Sequence, residues 1–139
     1  MLGDLLVEES GSVTLQRVLT PENGLPRIEI SFEAEGTGVG IDYNHRATYL
    51  ATMRPDGTIW GEGDGVMVGV NGDVVTWHGG GVGHMAQRPE GGFAVAYRGA
   101  IYYSSASGGA LGALNGKVGV FEYDIDSSNR TAARVYEWR

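Results

Sequence analysis

The sequence predicts an all-β protein, an eight-stranded antiparallel up-and-down barrel, and three observations carry the prediction. Glycine supplies 24 of 139 residues, more than twice the ~7% of an average protein, yet it follows no three-residue period, which excludes a collagen-like chain. Hairpin signals recur along the chain: Glu35-Gly36-Thr37-Gly38, Arg54-Pro55-Asp56-Gly57-Thr58, Val70-Asn71-Gly72-Asp73 and Arg88-Pro89-Glu90-Gly91-Gly92. Between them the residues favour strands, and no useful window holds a helical 3.6 period free of glycine.

Taken in order, a strand is expected near residues 13–19, then 27–35, 40–53, 58–69, 73–87 and 93–104. A loop over 104–115 precedes two last strands, 117–124 and 131–138, joined by Asp126-Ser127-Ser128-Asn129. Several of these exceed the usual five or six residues. Strands that long would leave long edges in an open sheet, and closure removes them. A two-sheet sandwich is the competing arrangement. The length suits one domain spanning 1–139.

Composition narrows the function classes. Seventeen acids against ten Lys and Arg leave a net charge of −7, which argues against a nucleic-acid binder, since that needs a basic stripe. Cysteine is absent, so there is no thiolate nucleophile and no disulfide framework. No run approaches the ~20 apolar residues of a membrane span. The start, from Met1 to Glu9, lacks a basic region followed by an apolar run, so it does not read as a signal peptide and a cytoplasmic location is expected.

Turn geometry fixes register, and register fixes faces. With Gly57 as a bulge, Tyr49 faces Gly63 and Ala51 faces Gly61. A two-residue type I′ turn at Asn71-Gly72 sets Gly65 against His78, and a bulge at Gly91 sets His78 against Tyr102 and Val82 against Arg98. Followed this way, Ile28, Ile30, Phe32, Tyr43, His45, Tyr49, Met67, His78, Gly80, His84, Arg98 and Tyr102 share the interior face. Val75, Trp77, Val95, Tyr97, Ile101 and Tyr103 then form an exposed apolar stripe, which predicts a homo-oligomer, a dimer or trimer. One further bulge would exchange the faces from that strand onward.

On this reading His78, Arg98 and Tyr102 are the candidate catalytic residues. An imidazole, a guanidinium and a phenol facing an apolar lumen would orient a carbonyl or enolate, with histidine as general base and Arg98 holding developing charge. His45, Tyr49, Met67, His84 and Glu122 are the candidate substrate-binding residues. Arg98 needs a buried counter-ion, for which Glu122 and Glu137 are both available. A structural Arg–Glu pair with histidines near the mouths is the plainer account of the same cluster. No metal site is expected: His78 and His84 lie about 20 Å apart along one strand, and no HxH or HxxxH spacing occurs. The glycine-rich runs at 61–65 and 79–83 fall inside strands, so neither is a phosphate loop.

The segments Arg46 to Tyr49, Arg54 to Gly63, Tyr97 to Tyr103 and Leu114 to Tyr123 resemble small bacterial proteins. The layout resembles the allene oxide cyclase-like barrels, which include the dirigent proteins; there a Gly-x-Leu-x-x-Leu-x-Gly stretch, here Gly109 to Gly116, precedes a closing strand. The resemblance implies an eight-stranded barrel, often trimeric, whose lumen binds or cyclises an apolar small molecule. It carries no catalytic residue over to this chain. The expected function is therefore a barrel binding a small apolar molecule, with cofactor-free isomerisation or cyclisation as its catalytic form. A non-catalytic oligomeric scaffold is the alternative.

Overall fold

A computed structural model describes residues 2–139 and shows a closed eight-stranded antiparallel barrel with next-neighbour connections throughout. The strands are β1 (Leu2–Val18), β2 (Arg27–Gly38), β3 (Ile41–Met53), β4 (Ile59–Gly69), β5 (Val74–Gln87), β6 (Phe93–Ser104), β7 (Val118–Ile125) and β8 (Arg130–Trp138). Six of them match the sequence expectation closely. The second, β2, runs on through Glu35-Gly36-Thr37-Gly38, expected as a turn, and these residues pair with β3. β1 begins eleven residues early and pairs with β2 on one side and β8 on the other, closing the barrel. Met1 lies outside the described residues.

The turns explain where the register expectation holds and where it fails. At Gly57, Gly91 and Asn129 the chain makes one and the same hairpin, with three loop residues ending in a positive φ (87°, 94° and 62°). The Asn71-Gly72 turn is a fourth copy. Gly72 (φ 88°) donates its N–H to the Gly69 carbonyl, and Gly69 donates to the Asp73 carbonyl. The loop therefore holds Val70, Asn71 and Gly72, a type I turn closed by a left-handed glycine. Type I′ turns are elsewhere: at Val39-Gly40, where both residues have positive φ and Gly38 pairs with Ile41, and at Asn23-Gly24 between Glu22 and Leu25.

That one residue inverts the faces from β5 onward. The expected pairs Tyr49–Gly63, Ala51–Gly61, His78–Tyr102 and Val82–Arg98 all form. Gly65, however, pairs with Trp77 and not with His78. Because side chains alternate, the whole of β5 and β6 presents its other face. Val75, Tyr97, Ile101 and Tyr103 are buried, and Val95 and Trp77 pack against the core. The expected association stripe is thus the inner wall of the barrel, and the argument for an oligomer built on it falls away.

The interior is built of rings resting on glycines. A Cβ at Gly65 would strike the Trp77 indole and sit 2.7 Å from His45 Nε2; one at Gly61 would lie 2.9 Å from the Tyr97 ring, and one at Gly83 2.7 Å. The missing side chains on β4 and β5 are the seats of aromatic ones. Gly80, expected inside, is on the outer face, where the Trp60 ring covers it, a pairing that stabilises bare backbone in a sheet.

One end of the barrel is plugged. A 3₁₀ turn, Leu111–Leu114, drops two fully buried leucines onto Leu6, Val7, Tyr43, Met67, Val75 and Tyr103. It is tied to β5 by Gly112 N–H donating to the buried Asp73 carboxylate at 2.8 Å. A second cluster, with Phe32, Tyr49, Ile59, Tyr97, Tyr123 and Ile125, fills the other half, and Trp77 and Phe121 pack against both.

Candidate functional site

Between the two clusters lies an internal cavity of about 70 Å³. Its lining is almost wholly apolar, with polar side-chain groups from a few residues: Glu9, His45, Tyr49, Trp77, Tyr97, Tyr103 and Tyr123. Those residues form two groups.

The first is a buried hydrogen-bonded chain. Glu9 on β1 accepts the Tyr43 hydroxyl at 2.7 Å, and its two oxygens lie 2.9 and 3.0 Å from His45 Nδ1. Trp77 Nε1 donates to His45 Nε2 at 2.7 Å. An indole N–H can only donate, so Nε2 carries a lone pair, and the imidazole is the neutral tautomer with its proton on Nδ1, directed at Glu9. Glu9 and His45 are only 8% and 5% exposed. A carboxylate is tolerable at that depth because three contacts with donors compensate its lost hydration. Its charge is felt nearby: burial, then the Glu9 carboxylate, pushes the Tyr43 and Tyr103 phenols far above their ordinary range.

The second group is a triad of phenols. Tyr49 sits edge-on to both Tyr97 and Tyr123, with ring centroids 5.7 and 5.8 Å away, and Tyr97 and Tyr123 are 5.8 Å apart. Burial raises all three; Tyr97 is pushed up to about 12. The neighbouring phenols add to the rise at Tyr49. Yet the Tyr49 and Tyr123 hydroxyls are buried without a hydrogen-bonding partner. A buried hydroxyl left unpaired costs about 1–3 kcal/mol, so these two, which line the cavity, are still able to take a bond; the buried Thr131 hydroxyl is unpaired as well but lies off the cavity.

The residues expected from the sequence divide by strand. His45, Tyr49 and Met67, on β3 and β4, point inward and line the cavity. His78, His84, Arg98, Tyr102 and Glu122 stand on the outer face, so no His–Arg–Tyr cluster forms in the lumen. The three-residue turn at 70–72 is the reason. His78 lies between Asp64 (2.9 Å) and Glu62 (3.5 Å) with 57% of its side chain exposed, and the bond to Asp64 raises its pKa. Arg98 needs no buried counter-ion: it is half exposed and pairs with Asp124 at 2.8 Å, while Glu122 lies across from it in register and Glu137 pairs with Lys117.

Sequence reasoning passed over Glu9 and Tyr123, and it placed Trp77 and Tyr97 on the outer face. The signal for Glu9 was present. Val7, Glu9, Gly11 and Val13 alternate along β1, placing one acid on an otherwise apolar or small face. Among the described residues no group of three or more His, Asp or Glu side chains is arranged to hold a metal ion. Nor is any helix long and apolar enough to cross a membrane.

A closed small β-barrel with a buried polar relay and a phenol triad is the class that fold and site define. No protein-family model matches the chain, and no curated protein matches its sequence. Solved structures do match in fold. A conserved protein of unknown function from Rhodopseudomonas palustris superposes with a TM-score of 0.78 at 14% identity, covering 99% of this chain and 97% of that one. A β-barrel-like protein from Acinetobacter baumannii gives 0.78 at 12% identity, over 100% and 96%. An enzyme from Penicillium herquei gives 0.64 at 14% identity, over 96% and 92%. At such identities the likeness establishes the barrel and nothing finer.

Proposed function

We propose that this barrel binds a small, largely apolar organic molecule in its lumen, between the Glu9–His45–Trp77 chain and the phenol triad. The observation that carries the reading is the pair of buried, unpartnered hydroxyls of Tyr49 and Tyr123 on the wall of an otherwise apolar cavity. A pocket of this make-up, apolar with a few convergent polar groups, is the usual form of a small-molecule site. Its volume of about 70 Å³ is several times the ~10–15 Å³ that admits a water and about half the ~150 Å³ of a cavity that takes benzene, which limits the ligand to a single small ring. The resemblance to allene oxide cyclase-like barrels supports the same architecture and use. That the Penicillium herquei neighbour is described as an enzyme favours a catalytic form, a cofactor-free isomerisation or cyclisation governed by shape. The outer residues His78, Arg98 and Tyr102 have no part in it.

The test is a screen of neutral monocyclic compounds against the ¹⁵N-labelled protein. Saturable shifts at the Gly61, Gly63 and Gly81 amides and the Trp77 indole N–H are expected for at least some members. Shifts confined to outer-face residues, or none at millimolar concentration, would overturn the reading.

A further inference from the structure

We infer that the lumen selects a neutral ring compound bearing a hydrogen-bond-accepting oxygen, a ketone or an enone, whose oxygen is held jointly by the hydroxyls of Tyr49 and Tyr123. The inference rests on the lumen being a binding site and specifies its chemistry.

Four features of the interior lead to it. First, the polar chain on one side of the cavity is already closed. His45 gives its Nδ1 proton to Glu9 and its Nε2 lone pair to Trp77, and Tyr43 gives its proton to Glu9. None of these groups has a proton left to donate without breaking a bond. Second, the phenols of Tyr49 and Tyr123 are only 7% and 8% exposed, and their hydroxyls have no hydrogen-bonding partner in the protein. Both are held far above the ordinary phenol range by burial, so they are protonated donors at any physiological pH.

Third, the rings fix where those donors can reach. Tyr49 and Tyr123 meet edge-on at 85°, Phe32 packs on both at 6.1 and 5.0 Å, and Tyr97 closes the third side. A carbonyl oxygen has two lone pairs in one plane and accepts two such donors at once. Fourth, charge is excluded on both sides. An anion would share a low-dielectric cavity with the Glu9 carboxylate, where like charges repel strongly. A cation would find both Glu9 oxygens engaged and an apolar lining in place of water. What remains is a neutral molecule with an apolar ring and one acceptor oxygen.

Three probes and two variants test this: 2-cyclohexen-1-one, benzene of similar size without the oxygen, and benzoate, each titrated against the wild type, Tyr49→Phe and Tyr123→Phe. Enone affinity exceeding that of benzene about tenfold is expected in the wild type, with no lumen shifts from benzoate. Each variant should lower enone affinity about three- to tenfold, the worth of one neutral hydrogen bond, and leave benzene affinity unchanged. Removing an unpaired buried hydroxyl should also raise the melting temperature of the ligand-free variants by about 2–5 °C, which shows that they fold. Equal affinity for benzene and enone, untouched by either variant, would overturn the choice of ligand class while the lumen site stands. Benzoate binding in the lumen would overturn it too. If none of the probes moves a lumen resonance, the lumen reading itself falls.

Discussion

At the scale of single residues, depth decides what a charge is worth. Glu8 and Glu9 are neighbours on β1, yet one faces water and the other the lumen. Glu8 pairs with Arg134 on the surface, with 54% of its side chain exposed, and exposed pairs contribute about 0–1 kcal/mol. Glu9 holds the Tyr43 hydroxyl and the His45 Nδ1 proton in a site closed to water. Glu9→Ala leaves both donors buried and unpaired, a loss of about 3 kcal/mol. Urea denaturation should therefore show a large drop in midpoint for Glu9→Ala and a shift equivalent to under about 1 kcal/mol for Glu8→Ala. Equal effects would mean that the Glu9 chain does not form.

At the scale of elements, the pair that closes one loop sets the orientation of half the barrel. The Gly69–Asp73 pair encloses three residues, and Val70 is 76% exposed. Deleting Val70 keeps that pair and leaves Asn71-Gly72 as a two-residue loop, the pair type I′ prefers. The faces of β5 are then unchanged. The deletion variant should fold with the near-ultraviolet circular dichroism of the half-buried Trp77 and the buried Tyr97 intact, at a cost of about 1–2 kcal/mol for the lost Val70 N–H bond to Asp42. Deleting Thr76, within the strand, instead sets part of β5 on the wrong face, and the same signal should vanish. If the Val70 deletion abolishes it as well, the turn does more than set parity.

At the scale of the whole molecule, the buried phenols tie stability to pH. Tyr43, Tyr49, Tyr97, Tyr103 and Tyr123 all have folded pKa values above the ordinary 10.0. Above pH 10 the unfolded chain releases protons that the native state keeps, so stability, fully present below pH 10, falls as pH rises through about 12, the value for Tyr97. Alkaline unfolding is expected to be steep and cooperative, with the absorbance of these tyrosinates appearing together with loss of circular dichroism. Tyrosinate absorbance rising well before the structure is lost would show that the rings are not sealed from solvent.

The sequence alone determined the all-β class, the hairpin order of the strands and most strand limits, and favoured a barrel over a sandwich, because these rest on local signals: turn residues, alternation and the lack of a helical period. It also placed His45, Tyr49 and Met67 correctly, since the bulge at Gly57 has a plain Pro-Asp-Gly signature. The strands that close the barrel and the inner face beyond β4 were decided by tertiary structure. Asn71-Gly72 serves equally well in a two- or a three-residue loop, and the locally preferred choice exposes Trp77, Tyr97 and Tyr103 to water. Burying those rings on the glycines of β4 and β5 outweighs any local preference of the turn. The same long-range packing brought Glu9, near the chain's start, to His45 and Trp77, a meeting that no neighbouring residue encodes.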